Sequence, residues 1–375
     1  MRRVTALTFL NNFVAGALTL LIPLLLLERN VNLADIGVVL SVLPLVFLVA
    51  RLLLAAIADQ VGWSHIFILV NWPATLISTA LYYFATSLPP FFAGKVIEGL
   101  RDSSYWAVNR TAIFQLSPAR EVRQATSING VIWIATAVGS AAAGVGIAFA
   151  GFSVTLLLLV VASIAVGIPA AMLWKTGKKD SKLNGRGIFT VLDARGKGRT
   201  FWLISVALTF YSLATFPLLM LLLPAFMDQQ LGYNYLWIGM LFMLYNVVSS
   251  AATFLTLRAS PSFGRAALLS VVAVVASVGL ATGGFLFPAC LCALAFVRGY
   301  GIAFFEHAVA KAAKSSRNVS ADIALLHSPM RIAESASVLA SGFLAQTVGY
   351  APIFAVTGVF FVVFSFMSLH LLRKP

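Results

Sequence analysis

Three largely apolar stretches carry eight charged side chains that could act together: Lys95, Glu98, Arg101 and Asp102 in one, Arg298 and Glu306 in the next, Arg331 and Glu334 in the last. A charge at mid-bilayer costs from about 2.5 to more than 10 kcal/mol, depending on how it is measured, so each needs an opposite charge or water beside it. Four are basic and four acidic. Such balance predicts pairing, which lowers the burial cost and supplies bonds that two states can exchange. Lys95, Glu98, Asp102, Tyr105 and Asn109 recur at steps of three and four, which is one face of a helix. Lys95 with Glu98, and Glu98 with Arg101, are spaced to pair within it, leaving Asp102 the weakest claim on a partner. A carboxylate in a low-dielectric cavity holds its proton and a guanidinium loosens it, so a site that gains and loses this neighbour can carry protons. On that ground Asp102, Glu98, Glu334 and Glu306 are the expected proton-coupling groups. Arg101, Lys95, Arg298, Arg331, Tyr105 and Asn109 are the expected substrate-binding or charge-pairing groups. Lys95 and Glu98 fit equally well a role in locking their helix to its neighbours, and Arg331 that of a structural counter-ion. His307, beside Glu306, is expected to be structural. Neutral polar groups complete the wall: Asn11 and Asn12 in the first apolar run, Tyr211 in the seventh, Tyr245 and Asn246 in the eighth.

The elements that must position these groups are set by composition. With 60% hydrophobic and 10% charged residues, the chain cannot bury its apolar surface in one water-soluble globule. Runs long enough to cross a bilayer, about 20 residues each, occupy roughly 5–27, 34–57, 65–87, 90–114, 125–149 and 152–174. A second set occupies roughly 202–227, 236–257, 265–286, 288–310, 325–347 and 350–371. The two sets are copies. Ala6-Leu7-Thr8-Phe9, Pro23 and Ile36-Gly37 return as Ala207-Leu208-Thr209-Phe210, Pro224 and Ile238-Gly239; Ile134-Ala135, Gly144 and Gly151-Phe152 return as Ile332-Ala333, Gly342 and Gly349-Tyr350. The predicted fold is an all-α membrane protein of twelve transmembrane helices in two pseudo-symmetric six-helix bundles, 1–174 and 201–375, joined by a basic linker at 175–200. Duplicated bundles of this kind are the architecture of solute carriers.

The net charge of +14 raises the question of nucleic acid. Its placement answers it. Arg2, Arg3, Arg120, Arg123, Arg258, Arg265, Lys311, Lys314, Arg317, Arg373, Lys374 and the linker's eight Lys and Arg fall on one side if twelve spans alternate, and Arg29 alone on the other. This positive-inside asymmetry predicts a multi-pass protein of the cell inner (plasma) membrane with both termini in the cytoplasm, facing lipid and not nucleic acid. Met1-Arg2-Arg3 and the run behind it have the look of a signal peptide, but the run repeats in the second copy and reads as the first helix. Cys290 and Cys292 are two apart on a helix and point apart, so neither a disulfide nor a metal site is expected. The sequons Asn109-Arg110-Thr111 and Asn318-Val319-Ser320 read as chance matches. With four His and none of the zinc-protease, serine-hydrolase or phosphate-loop patterns, an enzyme or receptor has little support. No cofactor is expected, and the protein is expected to be a monomer.

Ala55-Ala56-Ile57-Ala58-Asp59-Gln60-Val61-Gly62, between the second and third runs, resembles the signature loop of the major facilitator superfamily, G-x-L-A-D-R-x-G-R-R, with Asp59 and Gly62 matching. Lys95-Val96-Ile97-Glu98-Gly99 resembles the family's fourth-helix motif R-x-x-Q-G, and Gly139 to Gly144 its antiporter motif, with Ser140 in place of Pro. The resemblance implies alternating access about a midplane site, and a cytoplasmic gate at Asp59 and Gly62. It departs at Gln60 and at Trp63-Ser64, where the family carries basic residues, and the equivalent turn around Arg258 to Gly264 keeps less. The reading is a secondary active transporter for a small organic solute, with proton-coupled export of an amphipathic compound in front. The alternative is an importer or facilitator of an anionic solute held by Arg101, Arg298 or Arg331.

Overall fold

A computed structural model describes residues 1–116, 121–174, 176, 194, 196–256, 262–313 and 319–373, and these are helical nearly throughout. In chain order the helices are α1 (Arg2–Glu28), α2 (Leu33–Val61), α3 (Ser64–Phe84) and α4 (Leu88–Leu116). One long stretch, Glu121–Met172, is broken where Gly151 takes φ +77°, which makes it α5 (121–150) and α6 (152–172). Then follow α7 (Arg199–Gln229), α8 (Tyr235–Leu255), α9 (Phe263–Thr282) and α10 (Phe287–Ala313). The last two are α11, in two pieces (Val319–Leu326 and Ser328–Thr347) that meet at His327, and α12 (Ala351–Arg373). Arg120, Arg258, Lys314, Arg317, Lys374, Asn318, most of the linker and most of the turn from Arg258 to Gly264 lie outside the described residues.

Among the described residues nine helical stretches are long and apolar enough to cross a membrane. Helices α4 and the longer piece of α11 are not in that set, and both carry ionisable side chains within their length. Lipid tolerates no unsatisfied backbone, so an all-helical chain is the form such a composition must take.

The duplication is written into the backbone. Asn32 caps α2 by accepting from Asp35 N–H, and Asn234 caps α8 by accepting from Trp237 N–H. Asn30 and Gly232 occupy the left-handed region at φ +59° and +61°, two residues before those caps. Gly151 and Gly349 do the same before α6 and α12, at +77° and +82°. A left-handed position favours Gly, and Asn is the side chain that tolerates it best.

The halves meet along two helix pairs, α2 with α11 and α5 with α8. Away from the chain termini both pairs close to backbone contact on glycine. A Cβ added to Gly144 would lie 2.6 Å from Gly239 Cα, and one added to Gly37 would lie 3.2 Å from Gly342 Cα. Tyr235 also donates to Glu28 there at 2.5 Å, and Ala34 N–H to Gln346 Oε1 at 3.2 Å. Towards the termini the halves touch again: Ala321 N–H donates to Asp59 Oδ2 at 3.1 Å, Ser250 to the Gly130 carbonyl at 2.9 Å, and Asn129 to Glu306 at 2.7 Å. Between these two sets α2 and α11 stay in touch, Ser335 donating to the Ser41 carbonyl at 2.9 Å, and beside them the halves separate.

Candidate functional site

The separation is a cavity of about 240 Å³ lined from both halves. The first half contributes Asn12, Phe47, Arg51, Asp102, Trp106, Asn129 and Trp133; the second contributes Tyr211, Ser212, Asn246, Arg298, Glu306, His327, Arg331 and Glu334. Eight of the residues singled out from the sequence therefore share one space: Asp102, Glu306, Glu334, Arg298, Arg331, Asn12, Tyr211 and Asn246. They come from six different helices.

Asp102 reaches the cavity with its carboxylate still one-fifth exposed, and Arg101 holds it from behind through Nε at 2.9 Å and Nη2 at 2.7 Å. Arg101 also approaches Glu98 at 3.4 Å. Glu98 is sealed in the first half, where Lys95 Nζ lies at 2.8 Å and the Tyr82 hydroxyl donates to it at 2.6 Å. Lys95, Glu98 and Arg101 thus form a dry network behind Asp102 and do not line the cavity. Tyr105 is turned inward too, donating to Thr8 at 3.0 Å. Asn109 is fully buried, and neither end of its amide has a hydrogen-bond partner. Asn11 accepts from Asn71 at 3.2 Å inside the first half. Of the polar stripe on α4, Asp102 is the member that reaches the shared space, because the helix presents its other positions to α1 and α3.

In the second half, Arg331 pairs with Glu334 at 2.5 Å, and the Ser212 hydroxyl donates to the same carboxylate. The Arg331 guanidinium lies 3.9 Å from the Phe47 ring centroid, across the interface. Arg298 is different. Its guanidinium stacks 3.8 Å from the ring centroid of Trp133, again across the interface, and 5.4 Å from that of Tyr245. Its Nη1 donates over a long 3.5 Å to Asn246 Oδ1, and among the described residues no carboxylate lies within ion-pair distance. Tyr211 donates to its backbone carbonyl at 3.0 Å, which fixes α10 against α7. Tyr245 lies beside Arg298 in a small side pocket and not in the main cavity.

Among the described residues, buried donors in this wall without an acceptor include Arg298 Nε, Arg331 Nε and the indole N–H of Trp133. An unpaired buried donor costs about 1–3 kcal/mol, more when charged, so an acceptor placed beside them would be favoured. The charges that line the cavity balance, Arg51, Arg298 and Arg331 against Asp102, Glu306 and Glu334.

Arg51, Asn129, Trp133, Ser212 and His327 were not singled out in the sequence. Arg51 carried a signal, since it is a cation inside an apolar run. His327 carried the same kind of signal, an ionisable group in an apolar run, whereas Asn129, Trp133 and Ser212 have no charge and no spacing that sets them apart. Asp59 and Gly62 lie at the terminus end of α2: Asp59 accepts from α11, and Gly62, at φ +96°, donates its N–H back to the Ala58 carbonyl. His307 bonds the Ala303 carbonyl of its own helix at 2.7 Å. Among the described residues no group of His, Cys, Asp or Glu is arranged to hold a metal ion, and Cys290 and Cys292 are free thiols.

The family model of the Major Facilitator Superfamily matches residues 4–321. Among solved structures the chain is similar to the human organic anion transporter MFSD10 (TETRAN), with a TM-score of 0.74 over 98% of this chain and 99% of that one, at 16% identity. At that identity the likeness is one of fold. No curated protein matches the sequence.

Proposed function

The chain belongs to the major facilitator superfamily and is a multi-pass membrane transporter, and from that premise we propose that it carries a small amphipathic organic anion whose acid group is held by Arg298 in the central cavity. The observation that carries this is a guanidinium with no carboxylate partner, stacked between two aromatic rings and lining the space between the halves. A free carboxylate, sulfonate or phosphate would take two of its N–H groups and supply the anionic partner it lacks. The aromatic walls at Phe47, Trp106, Trp133 and Phe216 suit the apolar part of such a solute. The fold neighbour is described as an organic anion transporter, which is the same solute class; the proposal rests on Arg298 and not on that likeness.

The transport cycle we propose is alternating access between bundles 1–174 and 201–375, twelve spans in all, with the linker and both termini in the cytoplasm of the cell that bears the protein in its inner membrane. Asp59 and Gly62 act as the cytoplasmic gate. A second reading, proton-coupled export, is favoured by Asp102: Arg101 has two carboxylates within reach, so a proton on Asp102 hands Arg101 to Glu98. Glu334, which shares the cavity and is held by Arg331, is the alternative proton carrier, followed by Glu306.

Purified protein in proteoliposomes tests both readings. Arg298→Ala removes a buried charge-assisted contact worth about 2–5 kcal/mol, and so is expected to weaken binding of an amphipathic carboxylate by roughly 30-fold or more. A neutral solute of the same shape should be unaffected. If carboxylate binding survives Arg298→Ala unchanged, the anion site is elsewhere. Asp102→Asn is expected to preserve solute exchange at equal pH and to abolish accumulation driven by a pH gradient. Gradient-driven accumulation in that variant would remove Asp102 from the coupling.

A further inference from the structure

A second cavity, about 460 Å³, lies on the outer side of α7 and α11, where they meet α12. Neighbouring residues divide between the two spaces. Ser212, Phe216 and Glu334 line the central cavity, while Leu213, Pro217 and Ala333 line the outer one. Along α11 its floor is Ala336, Ala340, Leu344 and Val348, four apart and all exposed. From Ala333 to Val348 the groove runs fifteen residues, roughly 22 Å at the helical rise. Two of its hydroxyls are spent within their own helices, Ser337 on the Glu334 carbonyl at 2.9 Å and Thr357 on the Ile353 carbonyl at 3.2 Å.

Comparing the duplicated halves explains the gap. The positions equivalent to Ser337 and Leu344 in the first copy are Gly139 and Gly146. A Cβ on Gly139 would lie 2.0 Å from the Phe13 carbonyl oxygen of α1, and one on Gly146 would lie 2.7 Å from Thr155 Oγ1 of α6. There the helices close to direct contact. In the second copy the same two positions carry side chains, which hold α11 off α7 and α12.

We propose that this groove binds one acyl chain of a bilayer phospholipid as an ordered ligand. It opens onto the surface the spanning helices turn to lipid, where Leu344, Val348 and Val356 are 45%, 57% and 45% exposed. The groove lies within one bundle and its wall is almost wholly apolar side chains of three neighbouring helices, which suits a hydrocarbon chain of roughly 4–5 Å girth. No charged side chain lines the groove, so the chain and not the headgroup is recognised.

The full-length transporter in nanodiscs containing a phospholipid with a photoreactive group in its acyl chain provides the test, read by mass spectrometry of the labelled peptides. Label on 333–360 is expected at least fivefold above label on the equivalent stretch 135–162, and equally with ethanolamine and glycerol headgroups. Ala336→Phe or Ala340→Phe, which fill the slot from the lipid side, should bring it down to the level of the first copy. Equal labelling of both copies in the wild-type chain overturns the proposal without recourse to a variant. Label unchanged by slot filling, or displaced by a soluble amphipathic carboxylate, overturns it as well, the latter by assigning the groove to transported solute.

Discussion

Gly144→Ala places one methyl group against the backbone of the second half, away from the termini. That Cβ would lie 2.6 Å from Gly239 Cα and 2.7 Å from the Tyr235 carbonyl oxygen, against a normal carbon contact of about 3.5–4.0 Å. Both neighbours are backbone, so no side chain can swing aside. The two helices must part by roughly 1 Å, and overpacking of this kind costs about 1–3 kcal/mol. The cost falls on the arrangement in which this end is closed. The equilibrium therefore shifts towards opening by about 5- to 150-fold. Gly37, the counterpart of Gly239 on the other helix pair, supplies the control: there the added Cβ stops 3.2 Å from Gly342 Cα, so a shift of a few tenths of an ångström suffices and Gly37→Ala should act more weakly. The assay is the rate at which a membrane-impermeant maleimide labels Thr19→Cys, a cavity-lining position, in a background where Cys290 and Cys292 are replaced by Ala. The expected order is Gly144→Ala fastest, Gly37→Ala intermediate and the parent slowest. Equal rates in all three, or Gly37→Ala ahead of Gly144→Ala, would refute the reasoning that backbone contact at these glycines holds this end shut.

Other expectations follow from the same contacts. Asn129→Asp sets a second carboxylate against Glu306, now 2.7 Å from the amide, and is expected to loosen the terminus end of the interface, while Glu306→Gln should leave it closed; protease accessibility of the linker separates the two. Trp133→Leu removes the ring beneath Arg298, a cation–π contact worth about 0.5–2 kcal/mol, so carboxylate affinity should fall by roughly 2- to 30-fold, less than for Arg298→Ala. Tyr82→Phe deletes a buried hydroxyl that donates to Glu98 and should lower thermal stability by about 1–3 kcal/mol, with little effect on affinity because Glu98 lies outside the cavity.

How much of the site was legible depended on the kind of signal. Charges in apolar runs are expensive, so selection leaves them only where they are used, and Asp102, Arg298, Glu306, Arg331 and Glu334 stood out for that reason. The same signal over-reached on α4. A helical stripe shows which residues share a face but not which neighbour covers it, and Lys95, Glu98 and Tyr105 bond within their own half. Balanced numbers of acids and bases suggested full pairing, yet Arg298 and Glu306, on one helix, do not pair with each other: one stacks on Trp133 and the other is bonded by Asn129. Those partners come from α5, far away in the chain, and have no spacing that marks them.

What the sequence determined by itself is the solvent, the helical form and the twofold repetition. Each follows from local pattern: hydrocarbon content demands lipid, lipid demands a backbone that satisfies its own hydrogen bonds, and repeated landmarks survive as caps and left-handed glycines at matching places. What only the tertiary structure decided is which charges meet. Pairing energies depend on distance and burial between helices hundreds of residues apart, so the free guanidinium of Arg298, the network behind Asp102 and the slot opened by Ser337 and Leu344 exist only once the two copies have packed differently.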